Sequence, residues 1–509
     1  MSVPRDGSKP VPSIWFDVED LFEHVRHNPR PSGIQRLALE IMRGMVSDPA
    51  MRHRVGFVRH APDGRDLLVV SWAEVDRLFG SAAPVAVAAA MPAAPSGSVG
   101  PGVTNGGAPA RRGRLDRLLG VVPARVRRPA LLFAVMQTQA AAALSGIAVS
   151  IVRQEARRGM NGLGRGVRAV RRSGAAGDPA SDGATARPAG EAPRRLSDVA
   201  VAGDVLTVLG SPWNALDYAA LVSRARGLHG LRFAVLMHDA IPVLRPEWCD
   251  RGINRIFRHW YGSVLPLADF VFANSRATAS DVEGWCGRAG IPLPGAVRPV
   301  PVGSGFGAPA GGDTVAATPR AIGSESPRRP FVLFVSTIEA RKNHLLLFRV
   351  WRRLMEELPA SDVPDLVFVG RAGWLVADLM DQIRNSRFLD GRLRLMQDVD
   401  DATLRGLYRS CLFTVFPSFY EGWGLPVTES LAFGTPCIAS RATSIPEAGG
   451  SLARYLDPDS VGDATRVIRD AITDRQGLAD WQERIQREFR PVPWSAAGRA
   501  MLDAVDAAS

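Results

Sequence analysis

Phe416-Pro-Ser-Phe-Tyr-Glu421-Gly-Trp-Gly-Leu425-Pro-Val-Thr-Glu429 is the stretch that decides how this chain is read. It opens as the end of an apolar strand, Leu412 to Phe416. Gly422 and Gly424 then make a tight turn, and a helix starts at Leu425 with Pro426 in its first turn. Proline fits there because first-turn N–H groups have no intrahelical partner. The amides of Gly422, Trp423, Gly424 and Leu425 are expected to face one space, and such a helix start attracts a phosphate. Glu421 lies in the turn and Glu429 about one turn into the helix. A carboxylate on either side can hold neutral hydroxyls by accepting their hydrogens. The turn suits a ligand with a diphosphate in the middle and a sugar at each end.

Three other blocks belong with it. They are Phe331 to Leu347, containing STIEARKNHLLL, then LMHDAIPVLRPE (Leu236 to Glu247) and SGIQRLALEI (Ser32 to Ile41). Two glutamates eight residues apart carry no information alone. The string FPSFYEGWGLPVTESLAFGTPCIAS around them does, and with the other blocks it resembles the retaining, nucleotide-sugar-dependent glycosyltransferases with an E-x7-E motif and the GT-B fold. That family is the glycosyl transferases group 1, here mannosyltransferase-like. The resemblance covers most of the chain except residues 81–197. It implies two Rossmann-like, doubly wound α/β domains with parallel sheets facing a cleft. It further implies that Glu429 holds the ribose hydroxyls and Glu421 the donor sugar, with Gly422, Trp423, Gly424 and Leu425 as backbone donors. His238 is expected near the reacting carbon, and Gly33 and Asp239 on the acceptor side. Gly370 and Arg371 are expected to line the same donor cleft. Ala340 departs from the family, where proline is common before Arg-Lys-Asn.

Arg341 and Lys342 follow the Phe331 strand, where two cations can neutralise a diphosphate whose charge grows as the glycosidic bond breaks. A helix start disfavours cations as mere surface groups. Only two lysines, Lys9 and Lys342, stand beside 60 arginines, so the one lysine outside the N-terminal tail falls in the candidate phosphate block. No residue stands out as a covalent nucleophile. By resemblance, the reaction is a front-face substitution in which the departing phosphate takes the acceptor's proton.

The chain has 509 residues, too many for one core, and a net charge of +11. The charge does not point to nucleic acid. Residues 110–196 carry 17 arginines against five acidic residues, which leaves the rest close to neutral. The four cysteines, Cys249, Cys286, Cys411 and Cys437, form no C-x-x-C pair and read as reduced thiols. The N-terminus has no apolar signal core, so a cytoplasmic location is expected.

In chain order, Ile14 to Phe16 reads as a strand ending at Asp17. A loop then leads to Gly33, and Ile34 to Val46 has helical spacing. Asp17-Val-Glu-Asp20 is D-x-D-like, but a strand-end aspartate more often caps the next helix, and no metal or cofactor is expected. Val55–Val58 and Leu67–Val70 read as a hairpin. Residues 81–110 and 173–193 read as linker. Between them, Leu131–Val152 has no charge and is flanked by basic runs, so 110–172 is a candidate contact for an anionic membrane face, which would make the protein peripheral. Further strands are expected at Asp204–Leu209, Leu231–Met237, Val271–Ala273, Leu366–Val369, Leu393–Met396 and Cys437–Ala439. A helix is expected over Asn343–Leu358, with Asn343 as N-cap, and another over Trp481–Ala508. The expected domains are 1–302 on the acceptor side with an insertion at 81–197, a linker at 303–329, a donor domain at 330–485, and a C-terminal helix, 486–509, crossing back.

The leading reading is a retaining glycosyltransferase that moves a sugar from a nucleotide sugar, GDP-mannose favoured, to a glycan or lipid-linked glycan in cell-surface polysaccharide synthesis. The alternatives are a nucleotide-sugar isomerase or epimerase on the same scaffold and a non-catalytic membrane-surface scaffold. The intact Glu421, Glu429 and Arg341-Lys342 set speaks against both.

Overall fold

The computed structural model describes residues 13–80, 194–305 and 329–508, apart from 27, 29, 32, 63, 65, 216 and 250. The linker readings at 81–110 and 173–193, the membrane-contact segment 110–172 and most of the expected 303–329 linker lie outside the described residues. Among the described residues, no helix is long and apolar enough to cross a membrane.

Seven strands form the first sheet: β1 Ile14–Asp17, β2 Val55–His60, β3 Leu67–Val70, β4 Val205–Val208, β5 Arg232–Met237, β6 Phe270–Ala273 and β7 Arg298–Pro299. Their order is β3-β2-β1-β4-β5-β6-β7. All pairs are parallel except β2–β3, the expected hairpin. β4 (VLTV) and β6 (FVFA) are buried along their whole length, as strands covered on both faces should be.

Six strands make the second sheet: β8 Phe331–Val335, β9 Asp365–Val369, β10 Leu393–Met396, β11 Phe413–Phe416, β12 Cys437–Ser440 and β13 Arg454–Leu456. The order is β10-β9-β8-β11-β12-β13, and every pair is parallel. Two doubly wound parallel sheets, each with its own apolar core, constitute the GT-B architecture.

The C-terminal region differs from the single helix expected over Trp481–Ala508. Two helices, Arg475–Glu488 and Ser495–Asp506, are separated by a break holding Pro491 and Pro493. Proline lacks the N–H and its ring clashes with the preceding turn, so the helix cannot continue through that pair. After the break, Ser495–Asp506 lies against the Gly33–Ser47 helix of the first domain. Met501, Leu502 and Val505 are buried in one cluster with Leu37, Ile41 and Met45. A Cβ at Gly498 would stand 2.2 Å from the Met45 side chain, so glycine lets the two helices approach. Arg54 closes the end of this contact with two hydrogen bonds to Asp506, of 2.8 and 2.7 Å.

Met501→Ala should cost about 2–5 kcal/mol, the range for emptying a packed methionine site. We expect a lower urea midpoint by circular dichroism, and an unchanged midpoint would show that this helix is not part of the first domain's core.

Candidate active site

Glu421 is buried where the β11 strand turns toward the Leu425–Ala432 helix. Its carboxylate is held from both sides, by Lys342 Nζ at 2.6 Å and Arg341 Nη1 at 2.8 Å. Arg341 also reaches Glu339 at 2.8 Å, so its guanidinium spans two acids. Lys342 Nζ additionally lies 5.5 Å from the centre of the Phe416 ring. Both cations come from the Ala340–Lys342 turn after β8. Burial would raise the Glu421 pKa, but the charges of Arg341 and Lys342 outweigh it and hold the carboxyl at about 2. Burial and the neighbouring Arg341 lower Lys342. Burial also opposes the charge on Arg341, but Glu421 and Glu339 raise it overall.

The turn itself leaves its amides open. Among the described residues, none accepts a hydrogen bond from the N–H groups of Gly422, Trp423, Gly424 or Leu425. Gly424 has φ of 114°, in the left-handed region that glycine adopts without strain. Gly422 is a close-approach glycine. A Cβ there would sit 1.7 Å from the backbone oxygen of His238, so only glycine lets the turn rest on the end of β5. Thr278 Oγ1 also donates to Gly422 O at 3.2 Å.

His238 is buried and donates from Nε2 to Leu209 O at 2.7 Å. A carbonyl only accepts, so this bond places the proton on Nε2 and leaves Nδ1 as an acceptor. Burial lowers its pKa to about 4 and keeps the ring neutral. Asp239 accepts from the amide of Ile241 at 3.0 Å, at the start of the following helix, and burial raises its pKa.

Glu429 is buried too. Tyr408 donates to its Oε2 at 2.8 Å, and Arg36 Nη1 stands 3.9 Å from its Oε1. Burial raises the Glu429 pKa against the pull of Arg36. Arg36 comes from the first domain, in the first turn of the Gly33–Ser47 helix, and it also donates to Asp401 at 2.9 Å.

A cavity of about 570 Å³ joins these groups. Its lining includes Gly33, His238, Asp239, Arg341, Lys342, Glu421, Gly422, Trp423, Gly424, Leu425 and Glu429. A Cβ at Gly33 would meet no atom within 4 Å, so protein packing does not require that glycine. Gly370 and Arg371 stand beside this cavity, across the shared wall of Val335, Ser336 and Thr337. They line an adjoining recess of about 240 Å³ with Arg30 and Asp398. Gly370 allows the chain to pass Ser336, whose oxygen a Cβ would meet at 2.0 Å, and Arg371 pairs with Asp398 at 3.2 Å. Asn343 heads the His344–Glu357 helix but does not cap it through its side chain. It is left-handed, with φ of 62°, and its side-chain amide donates to Pro417 O and Pro458 O at 3.2 and 2.9 Å.

The sequence reading passed over Arg36, Glu339 and Tyr408. Arg36 lies inside the quoted SGIQR string and Glu339 near Arg341, so position within those blocks was the available signal. Tyr408 lies in a helix before β11 and carries none.

Residues 318–488 match the family model described as glycosyl transferases group 1. The serotype-specific mannosyltransferase WbdA of Escherichia coli is 27% identical over 243 residues, 46% of this chain and 29% of WbdA. The O-antigen chain mannosyltransferase B of Escherichia coli is 32% identical over 144 residues, 28% of this chain and 37% of that protein. The chain thus spans well under half the length of either relative. Among solved structures, the α,α-trehalose 6-phosphate synthase of Burkholderia multivorans matches with a TM-score of 0.42 at 15% identity, over 62% of this chain and 73% of that one.

His344 offers a pH test of this core. Its ring lies 4.3 Å from that of Phe334 and 4.8 Å from that of Phe368, and burial lowers its pKa to about 3. The unfolded chain binds this proton first, so the stability that the neutral ring supports is complete above about pH 6.5 and is lost as pH falls toward 3. Between pH 6.5 and 5 the wild type should lose about 2 kcal/mol more than His344→Phe. Urea titrations at the two pH values measure this, and equal losses would refute it.

Proposed function

We propose that this chain is a retaining glycosyltransferase that moves a sugar, mannose favoured, from a nucleoside diphosphate sugar to a glycan or lipid-linked glycan acceptor. The observation that carries the reading is Glu421 clasped by Lys342 and Arg341 opposite the open amides of residues 422–425 in one cavity. The two cations and the amides meet the diphosphate. Glu421, kept ionised by those cations, accepts from hydroxyls of the donor sugar. Glu429, oriented by Tyr408, accepts from the ribose. His238 presents Nδ1 as a further acceptor for a sugar hydroxyl. The preference for GDP-mannose rests on the mannosyltransferases among the relatives, as does a place in cell-surface polysaccharide synthesis.

In the reaction, the bond between the anomeric carbon and the diphosphate oxygen breaks and one to the acceptor oxygen forms on the same face. The acceptor's proton goes to the departing phosphate. Charge accumulates on that phosphate, where preorganised cations and amides act most strongly because they need not reorient. No covalent sugar–enzyme intermediate is required, and no metal is invoked.

Nucleotide binding is the first test. GDP should raise the thermal midpoint more than UDP or ADP, and no shift with any nucleotide would sink the reading. Lys342→Ala and Glu421→Gln should each lower kcat/KM for sugar transfer by about 10²–10³-fold, the cost of removing one preorganised electrostatic contact. Unchanged turnover in both, followed by product analysis with GDP-mannose, would overturn the assignment.

A further inference from the structure

The Arg276–Ala289 helix of the first domain follows β6, with Ser275 as its N-cap. Its first two turns meet the second domain around Glu421. Thr278 Oγ1 donates to the oxygen of Gly422, the residue after Glu421, at 3.2 Å. Tyr420, the residue before Glu421, donates its hydroxyl proton to Asp281 Oδ2 at 2.6 Å. The amides of Arg276 and Ala277 donate to the two carboxylate oxygens of Glu447 at 3.0 and 2.9 Å. Ala277, Thr278 and Asp281 are three and four residues apart, so they share one helix face.

Glu447 leads back to the same place. It lies in the short Ile445–Gly449 helix, which starts directly after Ser444. Ser444 Oγ donates to Glu421 O at 2.9 Å and to Trp423 O at 3.1 Å, and Thr443 Oγ1 accepts from Glu421 N at 3.0 Å. Thr443 has φ of 51°, in the left-handed region that a β-branched residue rarely adopts. Strain of this kind persists only where surrounding contacts over-determine it. One helix of the first domain therefore grips the residue before Glu421, the residue after it, and the segment that holds its backbone. Beside them the rings of Phe419 and Trp248 stack at 5.7 Å.

The charge of Glu421 is matched within its own domain, by Arg341 and Lys342. Its place relative to the first domain is set by the helix. Transfer needs the reacting atoms held closely, and a misplacement of about 1 Å costs about 10²-fold in rate. We propose that this helix, through Asp281 and Thr278, positions Glu421 for the reaction. The turn takes its working geometry only while Tyr420 is held by Asp281. The proposal rests on the transferase reading for the reaction itself, and adds positioning residues that lie in the other domain and touch no substrate.

Tyr420→Phe keeps the ring and removes only the hydroxyl, and Asp281→Ala removes its acceptor. Each should lower kcat for transfer from GDP-mannose about tenfold, the loss of one hydrogen bond to a charged group. The donor KM should stay within about twofold, because the cations stand on the separate Ala340–Lys342 turn. The double variant should lose no more than either single one, since both remove the same contact. Asp281→Asn, whose side-chain oxygen still accepts from Tyr420, should recover most of the loss.

Hydrogen exchange over residues 416–424 of the full chain reads the seating of the turn without catalysis. The amides of Phe419 and Glu421, bonded to Arg341 O and Thr443 Oγ1 at 3.0 Å each, should exchange faster in both single variants. Unchanged exchange there, additive losses in the double variant, or a raised KM at unchanged kcat would overturn the proposal. The two readings fail separately. Faster exchange in variants of a chain that turns over no donor keeps the positioning and fails the transferase, whereas wild-type transfer with unchanged exchange in the variants fails the positioning alone.

Discussion

A carboxylate buried between two buried cations is the interaction on which the site depends. Placing Glu421 away from water is costly unless its charge is matched. Arg341 and Lys342 match it from a turn 79 residues earlier in the chain. Glu339 then balances the second cation. The result is a compact set of alternating charges that holds β8 and β11, neighbours in the second sheet, in one relative position at their carboxyl ends. The amides of residues 422–425 are presented from that fixed frame.

Much of this was legible in the sequence because it is local. The parallel strands are short apolar runs, and their polar ends mark the rim of the cleft. The Gly422–Gly424 turn and the helix start at Leu425 need only the residues themselves. The pairing of Glu421 with both cations was less visible, since the sequence suggested a role for each toward a ligand and not toward one another. Pro491 and Pro493 were in plain view, and their effect on the C-terminal helix follows from proline chemistry alone.

What was hidden depends on two chain segments far apart meeting. Arg36 reaches Asp401, 365 residues away, and no periodicity encodes that distance. Gly422 reads as a turn glycine, but its tightest constraint is the oxygen of His238 in the other domain. Gly370 reads as cleft-lining by its place after a strand. Its actual burden is the passing backbone at Ser336, and the recess it lines adjoins the main cavity along Val335, Ser336 and Thr337. Asn343 shows the same limit, because its side chain answers to two proline carbonyls instead of to its own helix.

Many of the contacts that join the two sheets' rims are polar, beside the stacked rings of Trp248 and Phe419 at 5.7 Å. Tyr420 donates to Asp281 at 2.6 Å, the amides of Arg276 and Ala277 donate to Glu447 at 3.0 and 2.9 Å, and Trp374 donates to Trp248 O at 2.8 Å. Water can replace each of these at a net cost of about 1–3 kcal/mol. The Ser495–Asp506 helix is attached by buried apolar side chains, which water cannot replace so cheaply. A molecule built this way gives way first along its rim while the far end keeps its grip, like a hinge whose pin is greasy and whose clasp is wet. Release of a molecule held in the cleft would then need only the clasp to loosen.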